Sequence, residues 1–157
     1  MLFRSGNALL VMAAAMSAGA MIYGPLDRIL GTRKWVVAAG SALTACCLLA
    51  LGLLDLALVP ATIAMAGAGA FGMTYGVLMA HGRSFFPDHL LGRGITLLNV
   101  LFLGGAGLLQ PLSGAMMKAM AGAPPEQAYG RLHVIFACLI IAALAVYLFS
   151  RDHKAAR

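Results

Sequence analysis

Residues 35–54 read WVVAAGSALTACCLLALGLL, a stretch that contains no Asp, Glu, Lys or Arg. A helix needs about 20 apolar residues to cross roughly 30 Å of hydrocarbon. A charge at the centre of such a helix costs about 2.5 to 3.5 kcal/mol on insertion scales. This stretch therefore predicts a membrane-spanning helix.

Four more uncharged apolar runs flank this stretch, at residues 6–23, 58–80, 95–117 and 134–149. The whole chain is 62% hydrophobic and only 10% charged, whereas about a quarter of the residues of a soluble domain are charged. Backbone groups in lipid must be hydrogen-bonded within their own segment, which favours helices. We predict an all-α polytopic membrane bundle of five transmembrane helices, which forms one membrane domain over residues 1–157.

Basic residues in the connectors and tails are distributed unequally between the two faces of this predicted bundle. One face holds Arg28, Arg33, Lys34, Arg83, Arg93, Arg151, Lys154 and Arg157, and the other holds Arg4, Lys118 and Arg131. By the positive-inside rule the face with more basic residues is cytoplasmic. We therefore predict a protein of the bacterial inner membrane with its N-terminus on the outer side and its C-terminus in the cytoplasm. The charges form no basic stripe with interleaved aromatic residues, so the lipid bilayer rather than nucleic acid is the expected partner.

The first run permits a second interpretation. Arg4, the apolar residues after it and the small residues Ala18, Gly19 and Ala20 also have the features of a secretory signal peptide. Cleavage there would leave Arg28, Arg33 and Lys34 outside the membrane, against the charge pattern of the later connectors.

Cysteines and histidines show no metal-site or catalytic pattern. Cys46, Cys47 and Cys138 all lie inside apolar runs, where cysteine usually serves as a small apolar side chain. For the histidines we expect solvation near span ends and in the tail, because no pair has the i, i+4 spacing of a helical metal site; they are His81, His89, His133 and His153. Neither paired carboxylates nor a nucleophile with a base occurs in a run, so no enzyme activity, cofactor or metal is predicted.

The runs differ in composition, and the difference predicts which of them pack closely. The third run carries Gly69, Gly72 and Gly76 on one helical stripe, which lets a neighbouring backbone approach. The fourth run is rich in glycine around Pro111, which removes a backbone hydrogen bond and predicts a kink or flexible point. The second and fifth runs are rich in Leu, Val, Ile and Ala and are predicted to face lipid.

Polar residues within the spans are candidates for the lining of a cavity, because such residues rarely face lipid. Asn99, Gln110 and Ser113 share one face of the fourth run, and Tyr75 lies in the third. These side chains could instead hydrogen-bond neighbouring helices, a contribution of about 0.6 kcal/mol each. Both interpretations stay open for Asn99 and Gln110, and the second is favoured for Tyr75.

The connector at residues 24–34, GPLDRILGTRK, is more specific than the others. It resembles the cytoplasmic signature of the major facilitator superfamily, which contains a glycine, an acidic–basic pair and then a glycine with two basic residues. The matching positions are Gly24, Asp27, Arg28, Gly31, Arg33 and Lys34, with spacing that differs by one residue on each side of Asp27. We call residues 24–34 the signature loop.

A second segment supports the resemblance. Residues 83–87 (RSFFP), Arg93 with Gly94, Asn99 and residues 110–114 (QPLSG) are similar to the cytoplasmic loop and following span late in the C-terminal half of these transporters. The resemblance covers essentially the whole chain and corresponds to spans eight to twelve. It implies part of a permease that moves a small solute by alternating access and is inactive alone, with the missing N-terminal half or another membrane chain as partner.

The signature loop also has an interpretation from physical chemistry alone. Asp27 is expected to lie just before the second helix and accept hydrogen bonds from its free backbone donors. Gly31 is expected to adopt a left-handed turn, and Arg28, Arg33 and Lys34 to hold the loop at an anionic leaflet. The alternative function is a small helical membrane scaffold or interaction protein without transport activity. The substrate is not specified by the sequence.

Overall fold

A computed structural model describes the backbone of residues 2–152 and the side chains of residues 6–152. Within this range the chain forms α-helices and one short 3-10 helix, and no strand. The helices are α1 (Leu2–Leu30), α2 (Lys34–Leu53), α3 (Leu58–Phe71), α4 (Tyr75–Arg83), the 3-10 helix Asp88–Leu90, α5 (Leu91–Ala119) and α6 (Pro125–Tyr147). His153, Lys154, Arg157 and the side chain of Arg4, for which the sequence makes predictions, lie outside the described residues.

Five helical segments in the described chain are long and apolar enough to cross a membrane, which indicates an integral membrane protein. They are Gly6–Leu30, Lys34–Leu53, Leu58–Arg83, Asp88–Ala119 and Pro125–Tyr147. The all-helical class and the number of spans agree with the sequence prediction. α3 and α4 together form the third of these segments.

The helices extend past the apolar runs. α1 continues through Pro25 to Leu30, and α6 begins at Pro125 rather than at residue 134. A helix keeps its backbone hydrogen bonds when it leaves the hydrocarbon, so polarity alone does not end it. Proline is favoured at the first helical position because its missing N–H would have no helical partner there. The N-terminal turns of α6 are therefore polar and lie beyond the apolar part of the span.

The third span is interrupted at residues 72–74, between α3 and α4. The backbone N–H of Met73 bonds the Ala70 carbonyl at 3.3 Å, a tighter turn than the α-helical pattern. The hydroxyl of Tyr23 donates to the carbonyl of Phe71 at the end of α3, at 3.2 Å. α5 is continuous through Pro111. The interruption of the helical pattern thus falls in the third span, whereas the sequence predicted the flexible point in the fourth.

α2 lies at the centre of the bundle, against α6 on one side and α3 on the other, while α1 packs on α3. The core consists of Tyr23, Val36, Val37 and Val77, flanked by Leu26, Met73 and Tyr147. The prediction that the second run faces lipid is therefore wrong. Its alanines and glycines are small enough to let two neighbouring helices approach, and such a composition resembles that of a lipid-facing helix.

Close approaches between helices occur at particular glycines. A Cβ on Gly19 of α1 would overlap the carbonyl of Ala70 in α3. A Cβ on Gly52 of α2 would lie 2.7 Å from the carbonyl oxygen of Gly130 in α6. At these points the backbones of two helices are in contact. Rearranging a side chain therefore could not make room for an added Cβ.

α5 is the least covered helix of the described chain. No residue in its most apolar 18-residue window is buried, whereas a third of the corresponding window of α2 is buried. Its contacts are limited to α4, α6 and the 3-10 helix before it. One long face of α5 is therefore not covered by the rest of the described chain.

Candidate functional site

The signature loop closes a three-residue turn between α1 and α2. Gly31 has a φ angle of +65°, the left-handed backbone that the sequence predicts for it, and no other described residue has a positive φ. Glycine adopts this conformation without the steric cost that a Cβ adds. The chain thereby reverses within residues 31–33, and α2 begins at Lys34.

Asp27 and Arg33 form an ion pair across this turn. Nε of Arg33 donates to Oδ2 of Asp27 at 3.2 Å, with 20% and 12% of the two side chains exposed. Nη1 of Arg33 also donates to the carbonyl of Ala80 in α4 at 3.4 Å. One guanidinium therefore joins the ends of the first and third spans. Asp27 itself lies inside α1, so the prediction that it caps α2 is wrong.

The acidic residue at the start of α2 is Asp152, which comes from the other end of the chain. Its Oδ1 accepts from the backbone N–H of Lys34 at 3.2 Å, and its Oδ2 accepts from Oγ1 of Thr32 at 2.6 Å. Nζ of Lys34 donates to the carbonyls of Leu148 and Ser150 at 2.7 and 2.8 Å. We call residues 148–152 the tail segment. These four hydrogen bonds tie the tail segment to the signature loop.

His81 of α4 holds the same segment from the other side. Its side chain is 1% exposed, with Nε2 2.9 Å from the carbonyl oxygen of Arg151 and Nδ1 2.6 Å from the hydroxyl oxygen of Tyr147. A carbonyl only accepts, so Nε2 carries a proton and donates to the Arg151 carbonyl, while Nδ1 and the Tyr147 hydroxyl form the second hydrogen bond. The sequence expectation of a solvated histidine is therefore wrong for His81. His89 is exposed, as expected.

Burial of the Asp152 carboxyl would raise its pKa, because burial disfavours the charged form. The hydrogen bonds from Thr32 Oγ1 and the backbone N–H of Lys34 act in the opposite direction and are stronger together. Attraction to His81 and a backbone hydrogen bond from Arg33 add to them. The pKa of Asp152 is therefore lowered from its ordinary value of 3.8.

Acidification is expected to release the tail segment. A carboxyl with a pKa lowered in the folded state stabilises that state above its ordinary pKa, and this stabilisation disappears as the pH falls through the lowered value. We expect a transition below pH 3.8 in the fluorescence of Trp35, the single tryptophan of the chain, which adjoins Lys34. The measurement is a pH titration of the protein in detergent.

Two variants identify the group that titrates. Asp152→Asn is expected to abolish the transition, while Asp88→Asn is expected to keep it, because the Asp88 side chain is exposed and has no hydrogen bond within residues 2–152. An unchanged transition in Asp152→Asn would show that another group controls the tail segment.

The second predicted loop folds back on the start of α5. Gly94 is buried, and a Cβ there would lie 2.5 Å from the ring of Phe86. The ring therefore packs directly on the backbone of α5, which requires glycine at this position. The two predicted arginines of this loop, Arg83 and Arg93, and Arg28 of the signature loop are exposed.

The predicted cavity-lining residues are only partly brought together. The hydroxyl of Tyr75 donates to Oδ1 of Asn99 at 3.0 Å, and its ring lies 4.2 Å from that of Phe102. Gln110 is exposed farther along α5, and Ser113 donates to the Gln110 backbone carbonyl at 2.8 Å. The Tyr75–Asn99 contact is an interhelical hydrogen bond. A pathway role for Asn99 and Gln110 stays a prediction.

The predicted packing glycines have different surroundings. A Cβ on Gly69 would lie 2.9 Å from the side chain of Met16 in α1. A Cβ on Gly72 would lie 2.9 Å from the carbonyl oxygen of Ala68, one turn earlier in the same span. Gly76 and Gly24 have no atom within 4 Å of the corresponding position. Backbone-to-backbone approaches lie instead at Gly19, Gly40, Gly52 and Gly130. Their partners are distant in sequence, so no spacing pattern identifies them.

An open groove of about 1170 Å³ lies at the opposite end of the bundle, between the α2–α3 turn and the start of α6. Its polar lining includes Asp55, Glu126, Arg131 and His133. None of the predicted cavity residues of α4 and α5 lines it. No group of three side chains in the described chain has the arrangement of a metal site.

Comparisons of the chain with protein-family models, with curated proteins and with solved structures found no match.

Proposed function

We propose that the chain is part of a secondary-active transporter, the C-terminal portion of a permease that resembles the major facilitator superfamily and moves a small solute by alternating access. The observation that carries this proposal is the Arg33 guanidinium, which bonds Asp27 of the first span and the Ala80 carbonyl of the third. The arginine lies in the loop on which the resemblance rests. The proposed location is a bacterial inner membrane, with this end of the bundle in the cytoplasm.

The Arg33 contacts lie at the end of the bundle that would open and close in alternating access. The side chains of the ion pair are mostly buried, with 20% of Arg33 and 12% of Asp27 exposed, so separating them costs more than breaking a surface pair. The contacts to Ala80 and the tail segment add further hydrogen bonds at the same end. Together these contacts favour the closed arrangement.

The uncovered face of α5 supports a functional unit with more helices than those described. Gln110 presents an exposed amide in the middle of an apolar span, and polar side chains at this depth usually face other helices or a water-filled cavity rather than lipid. The remaining spans of a permease would supply such a cavity. The rival scaffold would cover the same face with a dry protein interface.

Thiol labelling distinguishes a water-filled cavity from a dry interface. In a background where Cys46, Cys47 and Cys138 are replaced by alanine, Gln110→Cys is tested in native membranes with a charged, membrane-impermeant thiol reagent. A transporter cavity keeps this thiol hydrated and able to ionise, so labelling is expected to be on the order of tenfold faster than at a lipid-facing control.

Leu108→Cys is the matched control, because Leu108 is two residues away on α5 and 67% exposed. Residues two apart on a helix point in nearly opposite directions, so the two thiols share a depth but not a face. Equally slow labelling at both positions would refute the cavity and favour the scaffold.

A further inference from the structure

Four arginines at one end of the bundle have exposed side chains. They are Arg28 near the end of α1, Arg83 at the end of α4, Arg93 in the first turns of α5 and Arg151 after α6. Within residues 2–152 none of the four guanidinium groups makes a hydrogen bond or an ion pair. We call these residues the arginine patch.

The contacts already described place the arginine patch at a single end. Arg33 joins the signature loop to Ala80 near the end of α4, and His81 joins α4 to the backbone of Arg151. Two carboxylates of this end are already engaged, Asp27 by Arg33 and Asp152 by the signature loop. Among the described side chains, the exposed Asp88 is the third carboxylate of this end. The arginine patch therefore has a positive excess that the described chain does not neutralise.

At the opposite end of the bundle, the charges of the described side chains are balanced. Its exposed cations among the described side chains are Lys118 and Arg131, and they are matched by the exposed carboxylates of Asp55 and Glu126. The excess of positive charge is thus confined to the arginine patch. An anion from outside the described chain would neutralise it.

We propose that the arginine patch binds the headgroups of anionic phospholipids. A guanidinium matches the geometry of phosphate oxygens through paired N–H donors, and basic residues next to a membrane are attracted to anionic lipid. Exposed apolar side chains adjoin the arginines in sequence: Ile29 follows Arg28 and is 73% exposed, and Phe149 precedes Arg151 and is 91% exposed. Cations beside exposed apolar groups fit an amphiphile better than a soluble phosphate.

This assignment changes the part that the signature loop plays at the leaflet. The sequence expected Arg28, Arg33 and Lys34 to share the contact with lipid. Arg33 and Lys34 are instead bound to groups of the chain itself, which leaves Arg28 free for a headgroup. The proposal rests on these exposures and does not depend on transport activity.

The test measures retention of fluorescent phosphatidylglycerol and phosphatidylcholine by the full chain in mixed micelles. The wild type is expected to retain the anionic lipid preferentially. The variant Arg83→Gln/Arg93→Gln is expected to lose roughly tenfold or more of that preference, since a basic residue near the surface contributes about fivefold. The variant Lys118→Gln/Arg131→Gln removes the same charge from the opposite end and is expected to keep the preference.

Each other outcome overturns the proposal. Equal losses in the two variants would show an effect of net charge alone, and no loss in the patch variant would show that these arginines do not hold lipid. Displacement of the lipid by millimolar inorganic phosphate would identify a soluble phosphate site instead. Circular dichroism checks that the helix content of both variants is unchanged.

Discussion

Replacement of His81 by alanine is expected to destabilise the folded protein by roughly 3 kcal/mol, since a buried polar group left unpaired costs about 1 to 3 kcal/mol. The variant leaves the Tyr147 hydroxyl without its hydrogen-bond partner and the Arg151 carbonyl without its donor. It also removes a buried ring that lies 5.1 Å from the ring of Phe85. The measurement is equilibrium unfolding by dodecyl sulfate in mixed micelles, followed by circular dichroism.

His89→Ala is the matched control, because His89 is exposed and is expected to change stability by less than about 0.5 kcal/mol. His81→Gln is expected to give an intermediate value, since its amide nitrogen can replace Nε2 as the donor to Arg151. If His81→Ala were as mild as His89→Ala, the imidazole would have no part in holding the tail segment.

Gly19→Ala is expected to destabilise the protein by about 2 kcal/mol, within the range for inserting a group into a packed interior. The new Cβ would overlap the Ala70 carbonyl and lie 2.9 Å from the Ala70 Cα. Both atoms belong to the backbone of α3, so the strain is relieved only if α1 and α3 move apart. Unfolding by dodecyl sulfate measures the change.

The control for this variant is Gly104→Ala, at a position in α5 with no atom within 4 Å of the added Cβ. Alanine is favoured over glycine in a helix by up to about 1 kcal/mol, so this change is expected to be neutral or stabilising. Opposite signs at Gly19 and Gly104 would establish the close approach of α1 and α3. A stabilising Gly19→Ala would contradict it.

The spans and the turn at Gly31 could be predicted from the sequence because each depends on local chemistry. An uncharged run sets the length of a helix that can cross hydrocarbon, and a reversal within three residues favours glycine at a left-handed position. The ends of α1 and α6 were less predictable, because a helix continues into polar surroundings for as long as its backbone bonds are kept.

The centre of the bundle was not predicted, because packing depends on partners that are distant in sequence. α2 has the composition of a lipid-facing helix, yet Gly52 lies against Gly130 of α6. Small residues suit both lipid-facing and close-packed surfaces, so composition does not separate the two.

The polar site shows the same limit. The acidic–basic pair of the signature loop was recognised, but its geometry was not, since Asp27 bonds Arg33 instead of the start of α2. The acceptor at that start, Asp152, lies 118 residues farther along the chain than Lys34. His81 appeared as one of several scattered histidines. A histidine two residues before a span ends, with a tyrosine near the end of another span, is too weak a pattern to identify their contact.

The interruption at residues 72–74 divides the third span into two helices, α3 of 14 residues and α4 of 9 residues. α3 packs on α1 at Gly19, and α4 binds the tail segment through His81. Between them the α-helical pattern is interrupted at Met73, whose backbone N–H bonds the carbonyl of Ala70 instead of that of Gly69, so bending of the span is expected there. The hydroxyl of Tyr23 donates to the Phe71 carbonyl directly before this interruption, so α1 holds the end of α3 at the point where the two parts of the membrane crossing meet.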